Sequence, residues 1–293
     1  HPDFPWTREV TWCRADMLNM RELLGALEGA EAVVYLVHGL KGADFAETDR
    51  EAAANMRDAV DHLHVRRLVY LSGIIPPVHP DDLSHHLRSR LEVEEVLATS
   101  TAPTLSLRAA IVVGSGSTSF EVVRQLSGRL PFVTAIPGWM RSTRVQPVAV
   151  ADSVYYLAEA VDHDEVVGHL DIGGPEVLTY PQLLSRYARV AGLRRLQIPV
   201  PPLPFDLVGW VAGQLTDVDT DTVQSLMASL RDDMVVRTGA RTRLGDPDHQ
   251  PLPLDEALAR SLQPYDLATD GARRGADPAA PSAGDPGWTR GKT

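Results

Sequence analysis

Short apolar runs alternate with longer amphipathic stretches over the first 115 residues. The run from 32 to 37 is almost unbroken and rich in β-branched residues, and it stops before a glycine, which is typical of a strand buried on both faces. Runs at 67–71 and 104–113 have the same character. The stretches between them, 47–63 and 83–97, have the polar face of surface helices. The alternation predicts an α/β fold, a doubly wound parallel sheet with helices between its strands.

The segment before this series has a similar pattern. Residues 10–16 are predicted as a further buried strand, in which Cys13 packs as a small apolar side chain. Asp16 and Asn19 offer side-chain oxygens to the free amides of a short helix that Gly29 ends. One strand, helix, strand step of the sheet is therefore expected here.

The pattern after residue 114 is looser and mostly helical. Amphipathic stretches predict helices at 151–161, 180–191, 207–215 and 221–230, a strand and turn at 169–175, and a break at 199–204. We divide the chain into an α/β domain at 1–165 and a smaller, mostly helical subdomain at 166–268. Residues 269–293 have almost no apolar side chains and are expected to form a disordered tail.

The composition is that of a globular protein with one large core. The chain has 293 residues, of which 44% are hydrophobic and 23% charged, and its formal charge is -11. The acidic balance and the lack of a basic run argue against nucleic-acid and anionic-membrane partners. A single cysteine excludes an intramolecular disulfide, and no apolar run reaches the roughly 18 residues of a membrane span. We expect a soluble, cytoplasmic protein.

The residue types of a metal site occur together between residues 79 and 86. They are His79, Asp81, Asp82, His85 and His86. A proline-containing loop and uneven spacing separate them, so they match no rigid coordination geometry, and we predict no metal site.

Six short segments resemble, in the same order, the atypical and extended short-chain dehydrogenase/reductase superfamily. The resemblance is closest to its nucleoside-diphosphate-sugar-epimerase-like and NmrA-like members, which include relatives of an accessory subunit of respiratory complex I. The segments are 15–17, 35–39, 68–73, 107–114, 146–152 and 171–175. No segment is specific by itself, but the ordered set extends over nearly the whole chain. The resemblance implies a Rossmann-like fold that binds NAD or NADP.

The resemblance also implies a cofactor site along the carboxyl ends of the strands. Asp16 would accept a hydrogen bond from the adenine amino group, beside the backbone of Met17; the alternative is that Asp16 only caps the following helix. Val37, His38 and Gly39 close the next strand, where the ligands of open parallel sheets gather. The alternative for His38 is a loop residue that faces water.

The reacting end of the cofactor is expected near the next two strands. Ser72, before Gly73, takes the position of the family's hydroxyl that hydrogen-bonds the reacting oxygen; a turn serine is the alternative. Ala109, Ala110 and Ile111 would line the nicotinamide pocket.

Four other residues have expected roles. Arg108 is of the kind that ties loops together through a carboxylate. Trp139, Arg141 and Arg144 would face a substrate cleft, which favours a polar or anionic ligand.

The tyrosine and lysine that active members carry four residues apart on a helix are absent. His86 takes the tyrosine position and Arg90 the lysine position. Arg90 can still hold ribose hydroxyls or a phosphate through its fork of donors. A histidine can act as an acid or base near neutral pH, but a nearby arginine lowers its pKa. The alternative is a solvated basic helix face, to which Arg88 also belongs, so we assign no catalytic residue.

Two functions from different classes are consistent with these residues. The first is a reductase or epimerase-like oxidoreductase that acts with NAD(P) on a small polar substrate. The second is a catalytically silent dinucleotide-sensing or interaction protein. The His86 and Arg90 pair favours the second, and the substrate-side segments favour the first. A small molecule or nucleotide is the expected ligand, and a homo-oligomer or a protein partner stays open.

The glycine-rich loop that opens a Rossmann fold does not occur before residue 32, and His1-Pro2-Asp3 resembles the linker that follows the second strand. In this fold the first strand carries the pyrophosphate on the amides of its loop and helix. A chain that starts at His1 lacks the first strand, the first helix and the second strand. We therefore expect an N-terminally incomplete or rearranged sheet and weak cofactor binding.

Overall fold

A computed structural model of the chain describes residues 9–39, 45–130, 133–239 and 243–263. The expected linker at residues 1–3 and the expected tail at 269–293 lie outside the described residues. The strands are β1 (Ala32–Tyr35), β2 (Arg67–Gly73), β3 (Thr104–Ala109), β4 (Val112–Val113), β5 (Val133–Pro137), β6 (Arg144–Val145), β7 (Val148–Ala149), β8 (Gly168–Ile172), β9 (Leu178–Thr179) and β10 (Leu196–Val200). The helices are α1 (Met20–Leu27), α2 (Phe45–His62), α3 (His85–Leu97), α4 (Thr118–Arg129), α5 (Val150–Asp162), α6 (Tyr180–Val190), α7 (Phe205–Gln214), α8 (Thr220–Ala228) and α9 (Leu254–Ser261).

Four parallel strands form the main sheet in the order β1-β2-β3-β8. Side chains of β2 pack on both sides of it, because successive residues of a strand point to opposite faces. Leu68 and Tyr70 pack among α1, α2 and α3, whereas Val69 packs with Leu105 and α5. The prediction of a doubly wound α/β sheet is confirmed.

The amino-terminal segment differs from its prediction. Residues 11–16 form no regular element, and Cys13 is exposed rather than buried in a strand. β1 ends at Tyr35, and among the described residues only β2 pairs with it. Val34 is 39% exposed, so burial of this strand on both faces was a wrong prediction. The apolar run shows that the strand suits a buried position, but burial itself requires a neighbour at each edge.

The helices lie close to their predicted positions. The six predicted helices at 47–63, 83–97, 151–161, 180–191, 207–215 and 221–230 appear as α2, α3, α5, α6, α7 and α8, with ends shifted by at most two residues. Asn19 caps α1, since its side chain accepts from the Glu22 amide. None of the helices in the described ranges combines the length and apolarity needed to cross a membrane.

The strands after β3 differ more from prediction. The predicted strand at 104–113 divides into β3 and β4, and β4 pairs with β7 instead of joining the main sheet. The expected break at 199–204 begins inside β10, which pairs in parallel with β5. β8 follows residue 165 but belongs to the main sheet, so a domain boundary at 165 divides that sheet between two units.

A buried ion pair holds α3 against β3. Arg108 donates to both carboxylate oxygens of Glu94, at 3.0 and 2.6 Å, and each side chain is 9% exposed. Arg108 thus has a carboxylate partner, as the sequence predicted, but the pair joins a helix and a strand rather than loops. The bidentate geometry fixes the position of α3 relative to the end of β3.

We expect Glu94→Gln to lower the free energy of unfolding by about 3–5 kcal/mol, because it leaves a buried guanidinium without its counter-charge. Urea unfolding followed by circular dichroism measures the loss. Asp164→Asn is the control, since Asp164 pairs with Arg66 at the surface and such pairs contribute about 1 kcal/mol or less. Equal losses in the two variants would contradict the role given to Glu94.

Candidate functional site

The predicted cofactor residues fall into two places in the structure. The residues at or just beyond the carboxyl ends of the strands are Val37, His38, Gly39, Ser72, Gly73, Ala109, Ala110 and Ile111, and α3 adds Arg90. Asp16 and Met17 lie in the turn before α1. Asp16 is exposed, and its Oδ1 atom accepts from the Leu18 amide at 3.0 Å. Because Asn19 caps α1, Asp16 is not the capping residue.

Three side chains form a continuous hydrogen-bonded chain at this edge of the sheet. His38 Nδ1 lies 2.8 Å from Asp49 Oδ2, and His38 Nε2 lies 3.2 Å from His86 Nδ1. The Gly39 amide donates to Asp49 Oδ1 at 2.7 Å. Asp49 is buried and both imidazoles are half-buried. His38 therefore points to other side chains, and its reading as a loop residue facing water was wrong.

Asp49 is the member of this hydrogen-bonded series of side chains that the sequence analysis did not identify. It lies on the buried stripe of α2, four residues after Phe45 and three before Ala52. A carboxylate in that position is costly to bury unless it is hydrogen-bonded. An acidic residue on the otherwise apolar face of a predicted helix is therefore the signal that points to Asp49.

The carboxylate determines which ring nitrogens carry protons. An ionised Asp49 only accepts, so neutral His38 donates through Nδ1 and offers the Nε2 lone pair to Nδ1–H of His86. The Nε2 atom of His86 is then an acceptor, and no described residue hydrogen-bonds to it. This arrangement makes His86 a base at one end of a proton path.

Burial lowers the pKa of both imidazoles. The pKa of His86 lies well below 6.5, because burial is reinforced by the positive charges of His38, when protonated, and Arg90. Burial also lowers the pKa of His38, while its hydrogen bond to Asp49 opposes the shift. Both rings are therefore neutral near pH 7, as the proton assignment requires.

Arg90 lies beside this chain on the next turn of α3. Its Nη2 atom donates to the Leu71 carbonyl at 2.6 Å, and its guanidinium lies 5.2 Å from the centre of the Tyr70 ring. Two hydroxyls nearby, those of Tyr70 and Ser72, are buried without a partner of good hydrogen-bond geometry among the described residues. Burial raises the pKa of Tyr70, which keeps the phenol protonated. The free donors of Arg90 and the unpartnered Ser72 hydroxyl fit a polar ligand here.

A cavity of about 480 Å³ begins at His86. The ends of β2 and β3 form one wall, through Gly73 and residues 109–111, and α4, α7 and α8 form the wall opposite. Its lining is almost wholly apolar, and no described residue in it is charged. The residues of the expected nicotinamide pocket thus face an apolar cavity.

Of the three residues expected to favour an anionic ligand, only Trp139 lines the cavity. Its indole N–H donates to the Leu203 carbonyl at 3.0 Å. Arg144 donates to Asp233 through its side chain at 2.9 and 2.6 Å, and Arg141 does not line the cavity. Neither arginine supplies the cavity with positive charge. Among the described residues no group of three or more His, Cys, Asp or Glu side chains is arranged to hold a metal ion.

Comparison with solved structures shows the same fold in several enzymes. A nucleoside-diphosphate-sugar epimerase from Staphylococcus aureus is 13% identical with a TM-score of 0.67, over 87% of this chain and 85% of that one. The enzyme WbmH from Bordetella bronchiseptica, in complex with NAD+, is 18% identical with a TM-score of 0.60, over 85% and 80%. MoeE5, in complex with UDP-glucose and NAD, is 17% identical with a TM-score of 0.60, over 84% and 82%.

These comparisons show the fold of the chain. It has the Rossmann-like α/β architecture of these solved structures, as the resemblance of the ordered segments implied. No protein-family model matches the chain, and no curated protein matches it significantly.

We expect the two lowered histidine pKa values to make stability pH-dependent. As pH falls below 6.5 the unfolded chain takes up protons before the folded chain does, so stability is complete above 6.5 and is lost towards the folded pKa values. Urea midpoints at about pH 7.5 and about pH 5.5 measure this fall.

His86→Gln should reduce the difference between the two midpoints. His79→Gln is the control, because His79 is exposed and should leave the difference unchanged. A full pH dependence in His86→Gln would show that His86 is not the buried neutral group.

Proposed function

We propose that the protein is an NAD(P)-dependent oxidoreductase in which His86 takes the role of the missing tyrosine. The observation that carries the proposal is the Asp49–His38–His86 chain, which ends at a ring nitrogen without a protein partner on a residue that lines the cavity. The carboxyl ends of parallel strands are also where open α/β sheets bind their ligands. WbmH and MoeE5, which share this fold, were solved in complex with NAD, which supports a nicotinamide cofactor.

The described residues around Arg90 fit the nicotinamide end of the cofactor. Arg90 has guanidinium donors beyond the one used by Leu71, which suit ribose hydroxyls. Ser72 adds a buried hydroxyl that has no partner of good hydrogen-bond geometry among the described residues, and residues 109–111 add a small, uncharged wall. When bound, the nicotinamide accepts or supplies a hydride.

The chain of three side chains can move the accompanying proton. When an alcohol is oxidised, His86 Nε2 accepts the hydroxyl proton as the carbon gives up its hydride with both electrons. His86 then passes its Nδ1 proton to His38 Nε2, at 3.2 Å. His38 becomes an imidazolium against the Asp49 carboxylate. When a carbonyl is reduced, the same protons return along this path and the carbonyl oxygen receives one from His86.

Proton transfer to His38 lowers the cost of holding a positive charge on His86 beside Arg90. Burial and the charge of Arg90 make protonated His86 unfavourable, so His86 alone is a weak proton store. Transfer to His38 places the proton 2.8 Å from a carboxylate instead. His38 and Asp49 are thus positioning residues that allow His86 to exchange a proton near neutral pH.

Arg90→Gln should weaken the binding of NADH or NADPH about tenfold or more, because a charged hydrogen bond is worth roughly 1.5–3 kcal/mol. Titration of each nucleotide onto the 293-residue chain, followed by fluorescence, measures the dissociation constant. Arg88→Gln is the control on the same helix, since Arg88 bonds the Asp81 carbonyl instead. Absence of binding by the unsubstituted chain to either nucleotide would contradict the cofactor proposal.

His86→Gln should lower kcat by about 10²–10⁴-fold while nucleotide binding is kept, because it removes the group that exchanges the proton. Nicotinamide absorbance with a panel of carbonyl substrates measures turnover, and His85→Gln is the control from the exposed neighbour. Asp49→Asn should change kcat and its pH profile more than KM, since Asp49 acts through His38.

Two results would contradict this mechanism. Equal activity of His86→Gln and the unsubstituted protein would exclude His86 as the base. Nucleotide binding without turnover of any substrate in the panel would favour the silent dinucleotide-sensing alternative.

A further inference from the structure

We propose that the cavity beside His86 takes an uncharged, largely apolar alcohol or carbonyl compound, and not a nucleotide sugar. This inference rests on the proposed function, since it names the substrate class for the same site. The solved structures of this fold include MoeE5 in complex with UDP-glucose. A nucleotide sugar and an apolar alcohol make opposite demands on the cavity.

The charge of the cavity lining argues against a nucleotide sugar as the ligand. A nucleoside diphosphate has two or more negative charges, and buried charges need a cation or several donors beside them. No described residue that lines the cavity is charged. Arg144, which the sequence places near this cleft, is engaged by Asp233 through two side-chain hydrogen bonds. An anionic substrate would therefore lose its hydration without compensation.

The few polar groups of the lining suit an uncharged ligand. His86 provides an acceptor near the strand ends, and Tyr180 provides a phenol whose pKa is raised by burial, so that it remains a donor. Ser229 lines the cavity, but its hydroxyl is used by Ser84 at 2.8 Å. Ser119, Ser127 and Thr134 also line it and are uncharged. Aliphatic and small side chains of α4, α7 and α8 fill most of the remaining wall. One reacting oxygen on an apolar body matches this lining.

The volume and the opening of the cavity suit an apolar small molecule. The cavity measures about 480 Å³, which lies within the roughly 300–1,000 Å³ of pockets that enclose whole small molecules. Leu207 and Val211 of α7 both line it and are 47% and 42% exposed, so the cavity reaches solvent beside α7. Trp210, 53% exposed on the same helix, does not line it. The rim is as apolar as the interior.

The neutral fluorescent probe N-phenyl-1-naphthylamine tests the inference without any turnover. The probe should bind the unsubstituted protein, and decan-1-ol and 2-decanone should displace it. Decanoate, which differs from the alcohol by its carboxylate, should need about tenfold or more higher concentration, and UDP-glucose should not displace the probe.

Two variants of α7 locate the binding. Leu207→Lys puts a charge on the rim, where water can still solvate it, and should weaken probe binding by about tenfold or more. Trp210→Lys places the same charge one turn further along outside the lining and should leave binding unchanged. Equal effects of the two lysines would overturn the assignment of the probe to this cavity.

The outcomes separate this inference from the proposed function. Displacement by UDP-glucose but not by the alcohol or ketone would overturn the substrate class, and nicotinamide-dependent turnover of UDP-glucose would leave the oxidoreductase proposal intact. Displacement by 2-decanone and its nicotinamide-dependent reduction would support both. Displacement by 2-decanone without turnover would support the cavity's ligand class and contradict the oxidoreductase proposal.

Discussion

The buried ion pair between Arg108 and Glu94 is the interaction on which the candidate site depends. It fixes α3 across β3, and α3 carries both His86 and Arg90. Because the pair is buried, removing either partner leaves an uncompensated charge, so the helix has little freedom to move relative to the sheet. Glu94 lies in the carboxyl-terminal half of α3, while His86 and Leu87 at the start of the same helix line the cavity together with Ala109.

The positive charge of Arg90 disfavours protonation of both neighbouring histidines, and a carboxylate on the adjacent helix α2 opposes this effect at His38. Arg90 and burial both disfavour a protonated His86. α2 brings the Asp49 carboxylate to the far side of His38, where its hydrogen bond opposes the lowering of the His38 pKa by burial. The proton path therefore joins three separate elements: α2, the segment after β1, and α3. The Asp49–His38 pair resembles other carboxylate and histidine pairs, in which the carboxylate orients the ring and stabilises its charged form.

The sequence pattern predicted a helix or strand correctly where the pattern reflects the burial of that element's own side chains. The six amphipathic helices were predicted to within two residues, because a buried stripe repeats with the helical period. β2 was predicted because helices cover both of its faces. The prediction failed at residues 10–16 and at the outer edge of β1, where burial depends on a neighbouring strand rather than on the run itself. β5 and β10 are short and carry prolines, so they gave little periodic signal.

The sequence by itself determined the alternation of strands and helices, the resemblance in the order of its segments, and the residue types at the Tyr and Lys positions. It also placed His38 at the carboxyl end of a strand, where ligands of open parallel sheets gather, and His86 on the helix predicted at 83–97. Only the tertiary structure decided that the two rings share a hydrogen bond, that Asp49 completes the chain, and that the cavity is uncharged. The reason is physical: these residues are 11 and 48 positions apart, and their contacts depend on how α2 and α3 pack on the sheet.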